Sequence, residues 1–168
     1  MSSSNLVSKL WNSLGPHGVT MLGLAHAHAA QPRPMSAQLI GGGPPIWFFS
    51  AKDNAMVRSL SLDQHAMAIY VAKNHDLFAS LRGRLILDQD RAMIERLWSP
   101  FVAAWYPGGK DDPNLALLRL EPEEAEIWSN EASLWKSMKL LLGADPRAEF
   151  SDSVAKIRLE PPSAGAEH

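Results

Sequence analysis

The sequence predicts an α+β fold in which short strands curl into a small barrel and a few separate helices pack around it. Two patterns carry that prediction. Apolar or alternating segments of strand length recur between tight turns, and the helical 3/4 spacing appears only in isolated stretches rather than after every strand, as a doubly wound sheet would need. Length agrees: 168 residues make one domain, and a chain of this size buries about 70% of its unfolded-state surface, enough for one core.

At the N-terminus, Leu6, Val7, Leu10, Trp11 and Leu14 fall on one helical face. Ser4 or Asn5 can cap that helix, and Gly15-Pro16 ends it. Val19–Leu24 reads as a first strand and Ala29–Ile40 as a second, with Pro32 and Pro34 marking its start as an edge or a bulge. Gly41-Gly42-Gly43-Pro44-Pro45 is then a turn into a third strand, Ile46–Ser50. Asp53 can cap a short helix bearing Ala55, Met56, Val57 and Leu60, and the continuous apolar run Ala66–Val71 suits a strand buried on both faces. From Leu77 to Leu87 the pattern has a period of two, so one face belongs to the core. Asp88 or Asp90 opens a helix with an apolar stripe of Met93, Ile94, Leu97, Trp98, Phe101, Val102 and Trp105, bent or interrupted at Pro100 and stopped by Pro107-Gly108-Gly109. Leu115–Leu120 and Ala125–Ser129 complete the strands, and Leu134, Met138, Leu141 and Leu142 form a last helical stripe. Residues 1–143 are thus one barrel domain and 144–168 an irregular tail.

Composition narrows the function. With 16 basic and 18 acidic residues interspersed, the formal charge is −2, and no basic stripe offers itself to nucleic acid or to an anionic membrane. The absence of cysteine excludes disulfides, thiolate metal sites and a cysteine nucleophile. Met1-Ser2-Ser3-Ser4-Asn5 lacks a basic segment leading into an apolar one, and the apolar run Val19–Ala30 is too short and too rich in histidine to span a bilayer. A cytoplasmic protein is expected.

Several motifs carry less than they first promise. The glycine triplet is not followed by Lys-Ser/Thr and opens a strand, so it is no phosphate loop. Ser133-Leu134-Trp135-Lys136 matches an acyl-enzyme pattern by chance, its companion motifs being absent. His26-Ala27-His28 could supply half of a metal site, but a polar hairpin tip explains it, and Glu121, Glu123, Glu124 and Glu126 read as a solvated turn. No metal is expected. Trp98 and Trp105, seven apart on one helical face, suit core packing or stacking on a ligand ring.

Arg33 is the informative cation. It stands in a stiff extended segment, Arg33-Pro34-Met35, close to the apolar strand Trp47-Phe48-Phe49-Ser50, as suits a protein holding an anionic, partly aromatic ligand against a sheet. Together with Leu97-Trp98-Ser99-Pro100, Ala104-Trp105-Tyr106-Pro107-Gly108-Gly109 and the run Leu117–Trp128, these segments resemble the pyridoxamine 5'-phosphate oxidase-like flavoproteins, specifically the general stress protein 26 branch, collinearly over residues 5 to 130.

That resemblance implies a six-stranded FMN-binding split β-barrel with flanking helices, a homodimer with FMN in a cleft at the subunit interface. It implies Arg33 on the phosphate, Ser50, Lys52 and Asn54 on phosphate or ribityl oxygens, Met35 and Phe49 lining the flavin, and Trp105 covering it from the partner subunit. It names no catalytic residue, since flavin redox chemistry leaves the protein to supply position and electrostatics. Two positions depart from the family pattern: Met56 stands where a phosphate-contacting lysine is usual, and Arg82 where a small polar residue is. A barrel that binds flavin or a haem-like ligand without turnover, or a stress-response interaction partner that has lost the cofactor, are the rival expectations.

Overall fold

A computed structural model describes residues 2–26, 31–61, 64–129 and 154–159, and the statements below concern these. Helix α1 (Ser3–Leu14) starts earlier than expected because Ser2, not Ser4 or Asn5, is the cap, its hydroxyl accepting from the Asn5 N–H. A 3-10 turn, Gly15–His17, leads into β1 (Val19–Leu24).

The segment expected as one strand from Ala29 is two strands. Residues 27–30 lie outside the described residues; beyond them β2 (Arg33–Ser36) pairs antiparallel with β1, whereas β3 (Gln38–Ile40) pairs with β4 (Gly43–Ala51). Ala37 forms the break, fully buried with its N–H on the Gly18 carbonyl at 2.8 Å. The turn before β4 is only Gly41-Gly42, each at a φ just above 70° that disfavours a side chain, so β4 begins at Gly43.

Helix α2 (Ala55–Ser59) is capped by Asn54 rather than Asp53. Strand β5 (His65–Val71) is not buried on both faces: Ala66, Ala68 and Tyr70 point inward while Ile69 and Val71 are exposed. Strand β6 spans Leu77–Leu87 as its alternation predicts. Pro100 divides the next helix into α3 (Arg91–Leu97), capped by Asp90, and α4 (Pro100–Trp105), capped by Ser99.

Strand β7 (Leu115–Ser129) is one unbroken strand where two were expected. Pro122 is accommodated at a bulge, where the β6 register shifts between Arg82 and Gly83. A Cβ on Gly83 would lie 2.0 Å from the Glu121 carbonyl oxygen, so glycine is what allows the close approach. Strand β8 (Val154–Arg158) pairs with β7 and corrects the expectation of an irregular segment there; the stripe at Leu134, Met138, Leu141 and Leu142 lies outside the described residues.

The eight described strands form one antiparallel sheet in the order β2-β1-β5-β6-β7-β4-β3, with β8 on β7. Of the seven segments expected, the second splits into two, the last two merge into β7, and β8 is added, against the six strands that the resemblance implies. The sheet curls around a core of Leu22, Ile46, Phe48, Leu81, Leu85, Leu118 and Leu120, which α1 closes with Leu6, Leu10, Trp11 and Leu14. Burying each of these helix side chains is worth about 1.5–3 kcal/mol, and the Tyr70 hydroxyl donates to the Ser13 carbonyl at 2.8 Å to fix the helix end.

The outer face is unevenly covered. Helices α3 and α4 pack over β4 and the start of β7, making a second core of Trp47, Phe49, Ile94, Val102, Leu115 and Leu117. On β1, β5 and β6, Val19, Met21, Ile69, Val71 and Phe78 stay exposed. The cleft described next lies at the border between the covered and uncovered regions.

Candidate functional site

Side chains alternate across a strand, so Trp47 and Phe49 face outward to the helices while Phe48 and Ser50 face the barrel interior. Phe49 meets Trp98 edge-on at 5.7 Å and Tyr106 at 6.1 Å between ring centroids. These contacts set α4 beside the edge of the sheet and leave a cleft of about 400 Å³ between them. Its sheet side is made by Val19, Pro34, Met35, Ser36, Gln38 and Phe49. Its helix side is made by Phe101, Val102, Trp105 and Tyr106.

Three of the expected ligand-binding residues, Met35, Phe49 and Trp105, therefore meet in one cleft of one chain. Trp105 was expected to cover the ligand from a partner; here it already shares the cleft with Met35 and Phe49 of its own chain, 72% exposed at the mouth. A flat ring could slide between such walls, gaining stacking area on Trp105 and Phe101.

The polar residues are distributed differently. Arg33 opens β2, next to Pro34 of the cleft, and its exposed side chain has no ion pair or hydrogen bond among the described residues. Ser50 is buried on the other face of β4, Lys52 is exposed in the following turn with its backbone N–H on the Asn114 carbonyl, and the Asn54 side chain is occupied in capping α2 at 2.9 Å from the Met56 nitrogen. None of these three lines the cleft. Met56 is 1% exposed and packs in the barrel core, so it is a structural side chain and no vacant phosphate position.

Sequence reasoning missed Ser36, Gln38, Phe101 and Tyr106. Phe101 was legible only as part of a core stripe; Val102 took the core position, and Phe101 turns to the mouth, where its ring lies 5.2 Å from that of His17. Tyr106 is the one titratable residue of the lining, and burial pushes its phenol above the usual tyrosine range, so it stays neutral.

Two other clefts have a different character. One of about 360 Å³ lies over the rows Arg82–Glu124–Arg158 and Ser80–Glu126–Lys156, where acids and bases alternate in register. Arg82 thus belongs to a charged ladder away from the aromatic cleft. The other, about 610 Å³, carries Glu121, Glu123 and Glu124 against Arg119 and Arg158, an acidic balance unsuited to an anion. No cluster of three metal-ligating side chains occurs among the described residues; His26 and His65 face each other edge-on at 6.1 Å, and His28 lies outside them. No described helix is long and apolar enough to cross a membrane.

A split barrel with flanking helices and an aromatic cleft at its sheet edge defines the class of fold. Within that class, the family model for pyridoxamine 5'-phosphate oxidase like proteins matches residues 5–144, and the chain belongs to this family. It is similar to the crystal structure of a general stress FMN/FAD binding protein from Xanthomonas citri, with 48% identity and a TM-score of 0.73 over 78% of this chain and 93% of that one. A general stress protein 26 from Jannaschia sp. CCS1 is 25% identical with a TM-score of 0.74, covering 93% and 99% of the two chains. General stress protein 26 of Bacillus subtilis (strain 168) is 31% identical over 52 residues, 31% of this chain; the match spans only 36% of that protein's length.

Proposed function

We propose that this chain binds FMN in the cleft between α4 and the edge of the sheet and serves as a flavin-dependent oxidoreductase of the general stress protein type. The observation that carries the proposal is the convergence of Met35, Phe49 and Trp105, from three separate sequence segments, on one cleft. A volume of about 400 Å³ between aromatic walls fits a flat tricyclic ring, and the Arg33 guanidinium, with no partner among the described residues, supplies a counter-charge for a phosphate. FMN is favoured over FAD because no Gly-x-Gly-x-x-Gly turn is present to cradle a pyrophosphate.

The bound flavin would supply the redox chemistry. The chain's own side chains then do three things: Phe49, Phe101 and Trp105 exclude water from the ring, Met35 packs against it, and Arg33 anchors the phosphate. The exposed apolar strip Val19, Met21, Ile69, Val71 and Phe78 supports a homodimer that would cover the open side of the cleft. Cytoplasmic residence accompanies this reading.

The test begins with colour. Purified protein should carry a flavin absorbance band, and heat should release FMN. Arg33→Ala should weaken FMN by about ten- to a hundredfold while leaving riboflavin, which lacks the phosphate, unaffected. Release mainly of FAD, or an equal loss for both ligands, would count against it. A second reading, storage or sensing without turnover, is favoured by the lining itself, whose one titratable group is a neutral, half-buried Tyr106. Bound flavin that NADH and NADPH both fail to reduce would decide for it.

A further inference from the structure

Among the side chains lining the aromatic cleft, Gln38 has chemistry left over. It is only 5% exposed, and its Nε2 donates to the Ser36 hydroxyl at 3.4 Å. That is the carboxamide's one hydrogen bond among the described residues. The Oε1 atom is not among the fully occluded, unpartnered side-chain atoms of the described residues, and Gln38 is part of the cleft lining. A nearly buried acceptor in that lining has reason to take a partner from the cleft.

The backbone holds this group firmly. Gln38 follows the Ala37 break, whose N–H is fixed on the Gly18 carbonyl, and pairs with Trp47 of β4, so it has strand neighbours on the covered side. Ser36 occupies the donor end, which leaves the acceptor end for a ligand. A carbonyl-type acceptor at the edge of a slot with aromatic walls selects flat rings that carry an N–H on their rim.

We propose that Gln38 is a specificity-determining residue that accepts a hydrogen bond from the imide N–H of a ring held in the cleft; the assignment rests on the flavin reading of that cleft. Ring systems with an N–H between two carbonyls are the ligand class it favours. Rings of equal shape that lack the N–H leave Oε1 unpaired and bind less well.

The experiment compares FMN with N3-methyl-FMN, which keeps the phosphate and ring but loses the imide proton. Wild-type protein should prefer FMN by roughly three- to tenfold in equilibrium titrations. Gln38→Met, which keeps the volume and removes the amide, should bind both flavins alike. Trp105→Ala should weaken both by a similar factor and keep the preference. Absence of any preference in the wild-type protein, which needs no variant to fold, would overturn the role of Gln38 while the cleft reading stands, as would a preference retained in Gln38→Met. Unchanged affinity for both flavins in Trp105→Ala would instead remove the cleft reading and the Gln38 assignment with it.

Discussion

Met56 is 1% exposed and packs in the barrel core from α2. Placing an ammonium there leaves a buried charge without a partner, a cost of about 3–5 kcal/mol. Met56→Lys should therefore lower the urea midpoint sharply and leave FMN affinity of the folded fraction unimproved; tighter FMN binding at unchanged stability would show that the α2 N-terminus faces the phosphate after all. The family motifs made Met35, Phe49 and Trp105 legible, because a motif marks position without needing geometry. Alternation along β4 could have shown that Phe49 and Ser50 cannot share a face. Gln38 had no such signal: a single glutamine in a short strand has no period, and its setting depends on α4, more than sixty residues later.

At the scale of elements, breakers explain both the successes and the misses. Pro100 is expected to bend or interrupt one helix, and it interrupts it: Ser99 caps a second helix, α4. The bulge in β7 was read as a gap because Pro122 and the surrounding glutamates look like a turn; only the partner strand, with Gly83 opposite, makes room for it. Gly83→Ala would press a methyl group onto the Glu121 carbonyl oxygen and Pro122 Cα, both backbone atoms, and should cost about 3 kcal/mol, read as a lower urea midpoint at constant slope. The α3 tether offers a pH test. A hydrogen bond from Lys110, then one from Arg91, holds the Glu95 carboxyl below the usual carboxylate range. A lowered carboxylate stabilises above its unfolded value and loses that contribution as pH falls through the folded one. Amide-exchange protection in α3, relative to the intrinsic rate at each pH, should fall below about pH 4, and Glu95→Gln should remove that dependence. An unchanged pH profile in the variant would detach the effect from Glu95.

For the molecule as a whole, the uneven covering of the sheet matters most. One half of the outer face has α3 and α4; the other half shows Met21, Ile69, Val71 and Phe78 to solvent across three neighbouring strands. The expectation is a dimer closed through that face, with light scattering giving twice the 18.5 kDa chain mass. Met21→Glu combined with Ile69→Lys should give monomers that keep their circular dichroism, and a wild-type monomer at micromolar concentration would exclude this use of the face. The barrel class was legible from turns and strand spacing; the bare half-face was not, because Ala66–Val71 is apolar at every position and carries no mark of which side is wet.

Strand β7 also dictates an order of events during synthesis. It pairs with β6 along its length, with β4 through its first half and with β8 through its second, so it is the seam of the sheet. Until residue 120 has been made, the β3–β4 hairpin lacks its neighbour on the other side, and part of the β6 edge stays open until residue 129. The nascent chain carries two unpaired, apolar edges until β7 is made, and those edges are where a partly made chain is most prone to associate.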